Sequence, residues 1–252
     1  MRLIPPRCLF CGQGADLGTV DLCSECLAAL PWTEDGASID DVHAPFVFEQ
    51  PVDEALRALK FHGDLCPARV FGALLAAMVA LSGRRAGLPA LLVPVPLHPA
   101  RLHERGFNQS AQLARHAARW LGRPMAAGLL RRPRATLPQT SLEAAARRRN
   151  VAGAFAAAPG AADWLRRHPA NAGHVALIDD VLTTGATAAA AALALHDIGV
   201  RRVSIWAVAR PVSNFPTPPA GLVPTLQAAG RRETSTSFTF LAPESSSPTR
   251  SA

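Results

Sequence analysis

The chain has 252 residues, of which 49% are hydrophobic and 18% charged, and its formal net charge is +7. This length suits one sizeable core with a small appendage, and the composition excludes a chain that is disordered throughout. The basic charge favours anionic partners such as phosphates or nucleic acid, although a solvated arginine-rich surface would produce the same balance.

The sequence carries neither a secretory signal nor a membrane-spanning pattern. Its first seven residues, MRLIPPR, lack the apolar stretch and the small-residue cleavage site of an export signal. The longest strongly apolar run, residues 70–81, is shorter than the roughly 20 residues that span a bilayer. We therefore expect a cytoplasmic protein without a membrane span, in which residues 70–81 form a buried helix.

Four of the five cysteines lie near the start of the chain as two Cys-x-x-Cys pairs. They are Cys8, Cys11, Cys23 and Cys26. Four thiolates at this spacing are typical of a closed tetrahedral zinc site, which folds a module rather than catalyses. A disulfide framework would need an oxidising compartment, and a redox motif would need only one pair. We expect a zinc-ribbon-like module over residues 1–38 that ends in a polar linker, with Cys66 buried outside it.

From about residue 46, short apolar runs alternate with longer alanine- and leucine-rich stretches, a pattern typical of βα units. Apolar runs of the kind found in sheets covered on both faces predict three strands, at residues 91–95, 175–178 and 203–208. Helical spacing predicts helices at residues 110–121 and 186–198. The second helix has Thr187 as a candidate cap and ends at Gly199. The fold class is thus α/β with a parallel sheet flanked by helices.

The last part of the chain has a different composition. Serine, threonine and proline fill nearly half of residues 211–252. Too few apolar residues remain there to offset the entropy of ordering the chain. We expect a disordered tail over 211–252, with a short strand at 236–241 as the alternative, and the α/β domain over residues 39–210.

Residues 175–187, VALIDDVLTTGAT, predict a strand ending in two aspartates, then a hydroxyl-bearing loop, then a helix. Ligands of open α/β sheets bind at the carboxyl ends of strands, where a helix amino terminus offers N–H donors to a phosphate. Gly185 would let the backbone approach that phosphate closely, and threonine hydroxyls would add donors. Asp179 and Asp180 would accept hydrogen bonds from ribose hydroxyls and favour a magnesium-bearing ligand. The pattern predicts a ribose 5-phosphate pocket, with an ordinary turn after an apolar strand as the alternative.

These residues resemble the ribose-phosphate loop of type I phosphoribosyltransferases, and the whole chain resembles the ComF/GntX branch of that superfamily. Further segments similar to ComF landmarks are LKFHGD (59–64), VPVPL (93–97), RGFNQS (105–110) and the stretch from RATLPQ (134–139) to RNVAGAF (149–155). The resemblance covers roughly residues 5–210. It implies a type I phosphoribosyltransferase-like fold that follows the N-terminal zinc module.

The resemblance also implies roles for individual residues. Asp179 and Asp180 would be catalytic, and the phosphoribosyl diphosphate ligand would arrive with magnesium. Lys60 with Gly63, or Arg105 near the VPVPL strand, would hold the diphosphate. The ribose-phosphate group would be bound by Asp179, Asp180, Val181, Thr183, Thr184, Gly185, Ala186 and Thr187. Residues 131–155 would form a loop that closes over the substrate and excludes water; the alternative for its Arg147–Arg149 cluster is a nucleic-acid contact or a solvated face.

Two functions remain open at this level. One is pentosyl transfer, in which a nucleophile displaces diphosphate from the anomeric carbon of phosphoribosyl diphosphate. The other is a non-catalytic nucleotide-sensing or DNA-binding accessory role, because ComF relatives are linked to DNA uptake and natural competence. Single-stranded DNA and competence proteins are the candidate macromolecular partners, and an oligomer is compatible with the sequence. A sequence-specific regulator is disfavoured because no recognition-helix pattern accompanies the cysteines.

Overall fold

The computed structural model describes residues 6–211, apart from residues 18–19, 34–37, 40, 83–86 and 135–152. The predicted tail from residue 212, the alternative strand within it and most of the predicted linker lie outside the described residues. So do the Arg147–Arg149 cluster and most of the predicted closing loop.

The described residues form eight strands, of which three are longer than two residues. The strands are β1 (Ser38–Ile39), β2 (Val42–His43), β3 (Phe46–Val47), β4 (Leu91–Pro94), β5 (Leu130–Arg131), β6 (Ala156–Ala157), β7 (His174–Val181) and β8 (Arg202–Arg210). The helices are α1 (Ser24–Ala29), α2 (Val52–Phe61), α3 (Cys66–Ser82), α4 (Pro99–Arg105), α5 (Gln109–Leu121), α6 (Ala161–Arg167) and α7 (Ala186–His196), with a 3₁₀ helix at Pro169–Ala172.

The main sheet has the strand order β1-β2-β8-β7-β4, and β3 also pairs with β8. β4, β7 and β8 run parallel, with Leu91 opposite Val175 and Val175 opposite Val203. β2 and β3 are parallel to β8, whereas β1 is antiparallel to β2. The carboxyl ends of β4, β7 and β8 therefore meet at one edge of the sheet, where α/β proteins place their ligands.

Both faces of the sheet are covered, because successive strand side chains point to opposite sides. Ala176 and Ile178 pack into a buried cluster with residues of α3 and α5. Val175 and Leu177 pack into a second cluster with residues of α6 and α7. Gly72 of α3 lets that helix approach α5 closely, since a Cβ there would lie 2.7 Å from the Leu113 carbonyl oxygen. The predicted parallel α/β sheet flanked by helices is confirmed.

The predicted strands and helices are present, but their ends differ. β7 continues to Val181 and so includes both aspartates, because Asp179 and Val181 pair with Ala207 and Ala209 of β8. The predicted helix at 70–81 is the central part of α3. The suggestion that Thr187 caps the last helix is wrong: the capping position is Gly185, and the Thr184 hydroxyl accepts a hydrogen bond from the Ala186 amide at 3.4 Å.

The N-terminal cysteine segment packs directly on α3. Cys8, Leu22 and Cys23 belong to the same buried cluster as Phe71, and the Phe10 and Phe71 rings lie 6.3 Å apart. The buried carboxylate of Asp21 forms an ion pair with Arg69 in the first turn of α3. The cysteine segment and the sheet therefore share one hydrophobic core.

Among the described helices, none combines the length and apolar character needed to cross a bilayer.

Candidate functional site

A cleft of about 710 Å³ opens at the carboxyl edge of the sheet. Its floor is the end of β7 with the loop that leads into α7, and its walls come from the end of α2, from α4 and from the start of α5. The predicted site residues that line it are Lys60, Gly63, Arg105, Asp179, Asp180, Val181, Thr183, Gly185 and Thr187. Thr184 and Ala186 are not part of the lining. The fold thus brings together residues that are up to 127 positions apart in the sequence.

The two aspartates on the cleft floor are buried and engaged by neighbouring side chains. Asp179 Oδ1 accepts a hydrogen bond from the Ser110 hydroxyl at 3.1 Å and another from the Asp180 amide at 2.9 Å. Asp180 forms an ion pair with Lys60 of α2, and its Oδ1 lies 3.5 Å from the Gln109 side-chain amide nitrogen. The carboxylates are therefore held in place from two sides, by α2 and by the first turn of α5.

The shared burial of these carboxylates drives their acidities apart. Burial, together with the neighbouring Asp180 charge, raises the pKa of Asp179 to about 7. Burial would also raise the pKa of Asp180, but the Lys60 ammonium more than offsets this and holds that pKa below its usual range. The floor of the cleft thus carries the Asp180 charge, while the Asp179 carboxyl is protonated more readily than an ordinary aspartate.

Replacing Asp179 by asparagine is expected to raise the free energy of unfolding at pH 8 by about 2 kcal/mol. The charged form of Asp179 is disfavoured in the folded state, so its contribution to stability is complete below pH 4 and is lost as pH rises to about 7. Asparagine retains an oxygen for the bonds from Ser110 and the Asp180 amide. Urea unfolding at several pH values should therefore show the free energy of unfolding of the variant rising relative to wild type between pH 4 and 7.

The control for this pH series is Asp197→Asn, because Asp197 is an exposed aspartate at the far end of α7. That variant should follow the wild-type curve throughout. Parallel curves for wild type and Asp179→Asn would contradict the assignment of a raised pKa to Asp179.

The loop between β7 and α7 provides a concave backbone surface. Gly185 adopts a left-handed conformation with φ of +72°, and a Cβ there would meet no atom within 4 Å. It immediately precedes α7, whose first-turn amides lack partners from within the helix. Thr183 and Thr187 also line this part of the cleft. Such a loop suits an oxyanion, because the backbone is open to close approach and the helix amino terminus favours negative charge.

Arginines line the same cleft as the aspartates. Arg105 donates a 2.6 Å hydrogen bond to the Gln109 side-chain oxygen, and its guanidinium lies 5.6 Å from the centre of the Phe61 ring. Arg132 lies 5.0 Å from the centre of the Phe155 ring. Burial, with repulsion from Arg101, lowers the pKa of both Arg105 and Arg132. Three guanidinium groups therefore share one partly desolvated cleft, an arrangement that favours a polyanionic ligand.

Several lining residues were not assigned a role from the sequence. Gln109 and Ser110 stand in the RGFNQS segment, whose Asn108 caps α5 and so directs the two residues after it toward the aspartates. Arg101 has no sequence signal of its own, because it depends on the orientation of α4. Phe61 directly follows Lys60, and its 71% exposure is unusual for a phenylalanine. Exposure of this kind is visible only in a structure.

A second cluster is formed by the four cysteines of the N-terminal segment. The sulfurs of Cys8, Cys11, Cys23 and Cys26 all lie within 4.8 Å of one another. The Cys11 and Cys23 sulfurs are 3.8 Å apart, which matches the edge of about 3.8 Å in a tetrahedron with metal–sulfur bonds of about 2.3 Å. These four side chains could therefore hold one metal ion. Cys66 is not part of this cluster, because its side chain lies beside Asp21 and Arg69.

Comparison with known proteins gives a consistent set of relatives. The chain is 30% identical over 207 residues to "Competence protein F" of Haemophilus influenzae, covering 81% of this chain and 85% of that protein. It is 32% identical over 213 residues to "DNA utilization protein YhgH" of Salmonella typhi, covering 83% and 87%. The protein of the same name from Escherichia coli K12 is 33% identical over 190 residues, covering 75% and 77%.

The other comparisons add less. No protein-family model matches the chain. The crystal structure of TT1426 from Thermus thermophilus aligns with 22% identity and a TM-score of 0.33 over 60% of this chain and 86% of that one, a likeness too weak to bear on function. The relatives found by sequence are at least 30% identical to this chain, and the matches cover most of this chain and most of each relative. On that evidence the chain belongs to the ComF/GntX family.

Proposed function

We propose that the cleft binds the ribose 5-phosphate group of phosphoribosyl diphosphate or of a nucleotide, and that this binding serves the uptake or use of DNA. The observation that carries the proposal is the strand–loop–helix unit of β7 and α7. It presents two carboxylates, a left-handed glycine and a helix amino terminus to one cleft that also contains three arginines. A sugar phosphate is a ligand whose hydroxyls and phosphate match those groups.

The 5-phosphate would lie against the loop at Gly185. First-turn amides of α7 would donate to its oxygens, and the hydroxyls of Thr183 and Thr187 stand on the same wall. The ribose hydroxyls would then face Asp179 and Asp180. The arginines of the cleft, Arg101 and Arg105 among them, would neutralise a diphosphate at the anomeric carbon.

Magnesium fits this site as an ion carried by the ligand rather than by the aspartates. Asp180 is already paired with Lys60, and Asp179 accepts two hydrogen bonds from the protein. Magnesium usually retains several waters and binds substrate phosphates. We expect it to be held mainly by diphosphate oxygens, which lowers the charge that the cleft must accommodate.

Zinc at the four cysteines is the second part of the proposal. All four positions would be filled by protein thiolates, so the ion would have no open site for substrate and would act in folding. Because Cys8 and Cys23 lie in the core shared with α3, the ion would also support the packing of the neighbouring α2, which carries Lys60. We retain residue 38 as the boundary of this module and residue 210 as the end of the α/β domain, together with a cytoplasmic location.

The link to DNA comes from the relatives, which are named for competence and for DNA utilization. The net charge of +7 and the arginine-lined cleft are compatible with contacts to a nucleic-acid end. Nucleotides derived from DNA that has been taken up carry a 2′-deoxyribose 5′-phosphate, whose phosphate group the loop at Gly185 would bind in the same way.

The expected result of a direct test is that magnesium phosphoribosyl diphosphate binds the metal-loaded wild-type protein in calorimetric titration. Gly185→Ala should weaken this binding at least about tenfold, since its methyl group would occupy the space where the phosphate meets the backbone. Absence of binding to wild type would overturn the proposal.

Gly160→Ala is the matched control for this titration. Gly160 also precedes a helix, has φ of +78° and has no atom within 4 Å of its virtual Cβ, but it does not line the cleft. Both variants should be destabilised by a similar amount, about 1–2 kcal/mol, because both force a side chain into the left-handed region. Only Gly185→Ala should lose ligand.

A diphosphate-release assay with candidate bases distinguishes the two functions left open by the sequence. In pentosyl transfer, the bond from the acceptor to the anomeric carbon forms while the bond to diphosphate breaks, and the electron pair leaves with diphosphate. Release that depends on the acceptor supports a phosphoribosyltransferase. Binding without release supports a nucleotide-binding accessory protein.

A further inference from the structure

We propose that the Asp21–Arg69 ion pair couples the cysteine cluster to the cleft, so that metal bound by the four cysteines and ligand bound in the cleft strengthen each other's binding. Arg69 is then a positioning residue, because it does not line the cleft and acts through the turn between α2 and α3, residues 62–65. The inference rests on the proposed function, since it assumes that the cleft binds a sugar phosphate and that the cysteines bind zinc.

Asp21 links both Cys-x-x-Cys pairs to the rest of the fold. It lies two residues before Cys23, and its carbonyl oxygen accepts a 2.9 Å hydrogen bond from the amide of Leu9, which lies inside the first pair. Asp21 is only 2% exposed, and its carboxylate pairs with Arg69. An ion bound by all four cysteines would fix the two pairs relative to each other, and with them the position of this carboxylate.

The turn between α2 and α3 is held on both sides by ion pairs. Before the turn, Lys60 pairs with Asp180 on the cleft floor. After the turn, Arg69 in the first turn of α3 pairs with Asp21. Between them, Gly63 adopts a left-handed conformation with φ of +69° and lines the cleft. A shift at the start of α3 would therefore move part of the cleft wall.

Hydrogen bonds of Asp64 connect the two helices across this turn. Its amide donates to the Ala58 carbonyl oxygen of α2 at 3.3 Å, and its carboxylate accepts from the Cys66 amide of α3 at 2.9 Å. α2 and α3 also pack into the same buried cluster as Cys8 and the neighbouring part of the cysteine segment. Because one residue is bonded to both helices, a displacement of the first turn of α3 would be passed to the end of α2.

An ion pair that served only to stabilise the fold would leave the two binding sites independent. Two sites are coupled when each ligand favours the same arrangement of the chain, and the effect is then reciprocal, typically 5- to 150-fold in affinity. Here the arrangement in question is the position of the turn between α2 and α3. Zinc would fix it from the Asp21 side, and a ligand in contact with Gly63 and Lys60 would fix it from the cleft side.

The test measures the zinc affinity of the wild-type protein by competition with a chelator, with and without saturating magnesium phosphoribosyl diphosphate. The ligand should raise zinc affinity at least about fivefold, the lower end of the usual range for coupled sites. In Asp21→Asn/Arg69→Met this factor should fall below about twofold. The double variant removes both charges together, so it leaves neither of them buried without its partner. Arg69→Lys should retain most of the coupling, since an ammonium can still pair with Asp21.

Asp41→Asn/Arg202→Met is the matched control. The side chains of Arg202 and Arg69 are both 37% exposed, but neither Asp41 nor Arg202 lines the cleft, so this variant should retain the wild-type coupling. If wild type binds phosphoribosyl diphosphate but its zinc affinity does not change with the ligand, this inference alone is overturned. Equal coupling in wild type and Asp21→Asn/Arg69→Met would likewise overturn the role of the pair. If wild type binds no phosphoribosyl diphosphate, the proposed function fails and this inference fails with it.

Discussion

Replacing Cys11 by serine is expected to abolish metal binding and to lower the free energy of unfolding by about 4 kcal/mol or more. Cys11 is exposed, so a free thiol at this position would contribute almost nothing to stability. As one of four metal ligands it would instead hold together a segment whose Cys8 and Cys23 lie in the core against Phe71. Metal content by mass spectrometry and urea unfolding measure the two effects separately.

Cys66→Ser is the control for this experiment, because Cys66 is the one cysteine outside the cluster. Its sulfur accepts a hydrogen bond from Arg69 at 3.5 Å, a contact that a serine hydroxyl can also make. That variant should retain the metal and nearly all of the stability. A chelator should reproduce the effect of Cys11→Ser on wild type. If Cys11→Ser is as stable as Cys66→Ser, the four cysteines do not form a structural metal site.

The sequence predicted the parts of this fold that depend on local pattern. Continuous apolar runs indicated the strands at 91–95, 175–178 and 203–208, because a sheet covered on both faces needs such runs. The spacing of the cysteines likewise predicted their close approach. Strand ends were less well predicted, because β7 is extended to Val181 by its pairing with β8 and not by its own residues. The prediction of Thr187 as a cap failed because the left-handed Gly185 takes that position.

The candidate site could be predicted only in part, for the same reason. The loop around Gly185 is contiguous, so its residues could be recognised together. The partners of the aspartates are distant: Ser110 lies 69 positions before Asp179, and Gln109 lies 71 before Asp180. Lys60 was named as a candidate diphosphate ligand, but its pairing with Asp180 depends on how α2 packs beside the sheet. Tertiary packing supplies that information, and no local pattern encodes it.

Replacing Lys60 by methionine is expected to lower the free energy of unfolding by about 3–5 kcal/mol at pH 7. Lys60 and Asp180 have side chains that are 23% and 7% exposed, so removing the ammonium leaves a carboxylate buried beside Asp179 without its counter-charge. Because Lys60 holds the pKa of Asp180 below its usual range, the pair stabilises the fold above about pH 4. This contribution is lost as pH falls through the folded-state pKa, so the difference from wild type should shrink in acid. Urea unfolding at pH 7 and at pH 3 measures it.

Arg57→Met is the matched control, since Arg57 lies one turn earlier on α2 and forms a 3.2 Å ion pair with Asp53 while 62% exposed. Asp53 is 14% exposed, but the guanidinium that the variant removes lies largely in solvent, so the loss should be about 0.5–1 kcal/mol and well below that of Lys60→Met. Adding Asp180→Asn to Lys60→Met should recover much of the lost stability, because the buried charge disappears together with its partner. Equal effects of Lys60→Met and Arg57→Met would mean that water, and not Lys60, compensates Asp180. The carboxylate would then be open to a ligand or a magnesium ion directly, and the assignment of magnesium to the diphosphate would be wrong.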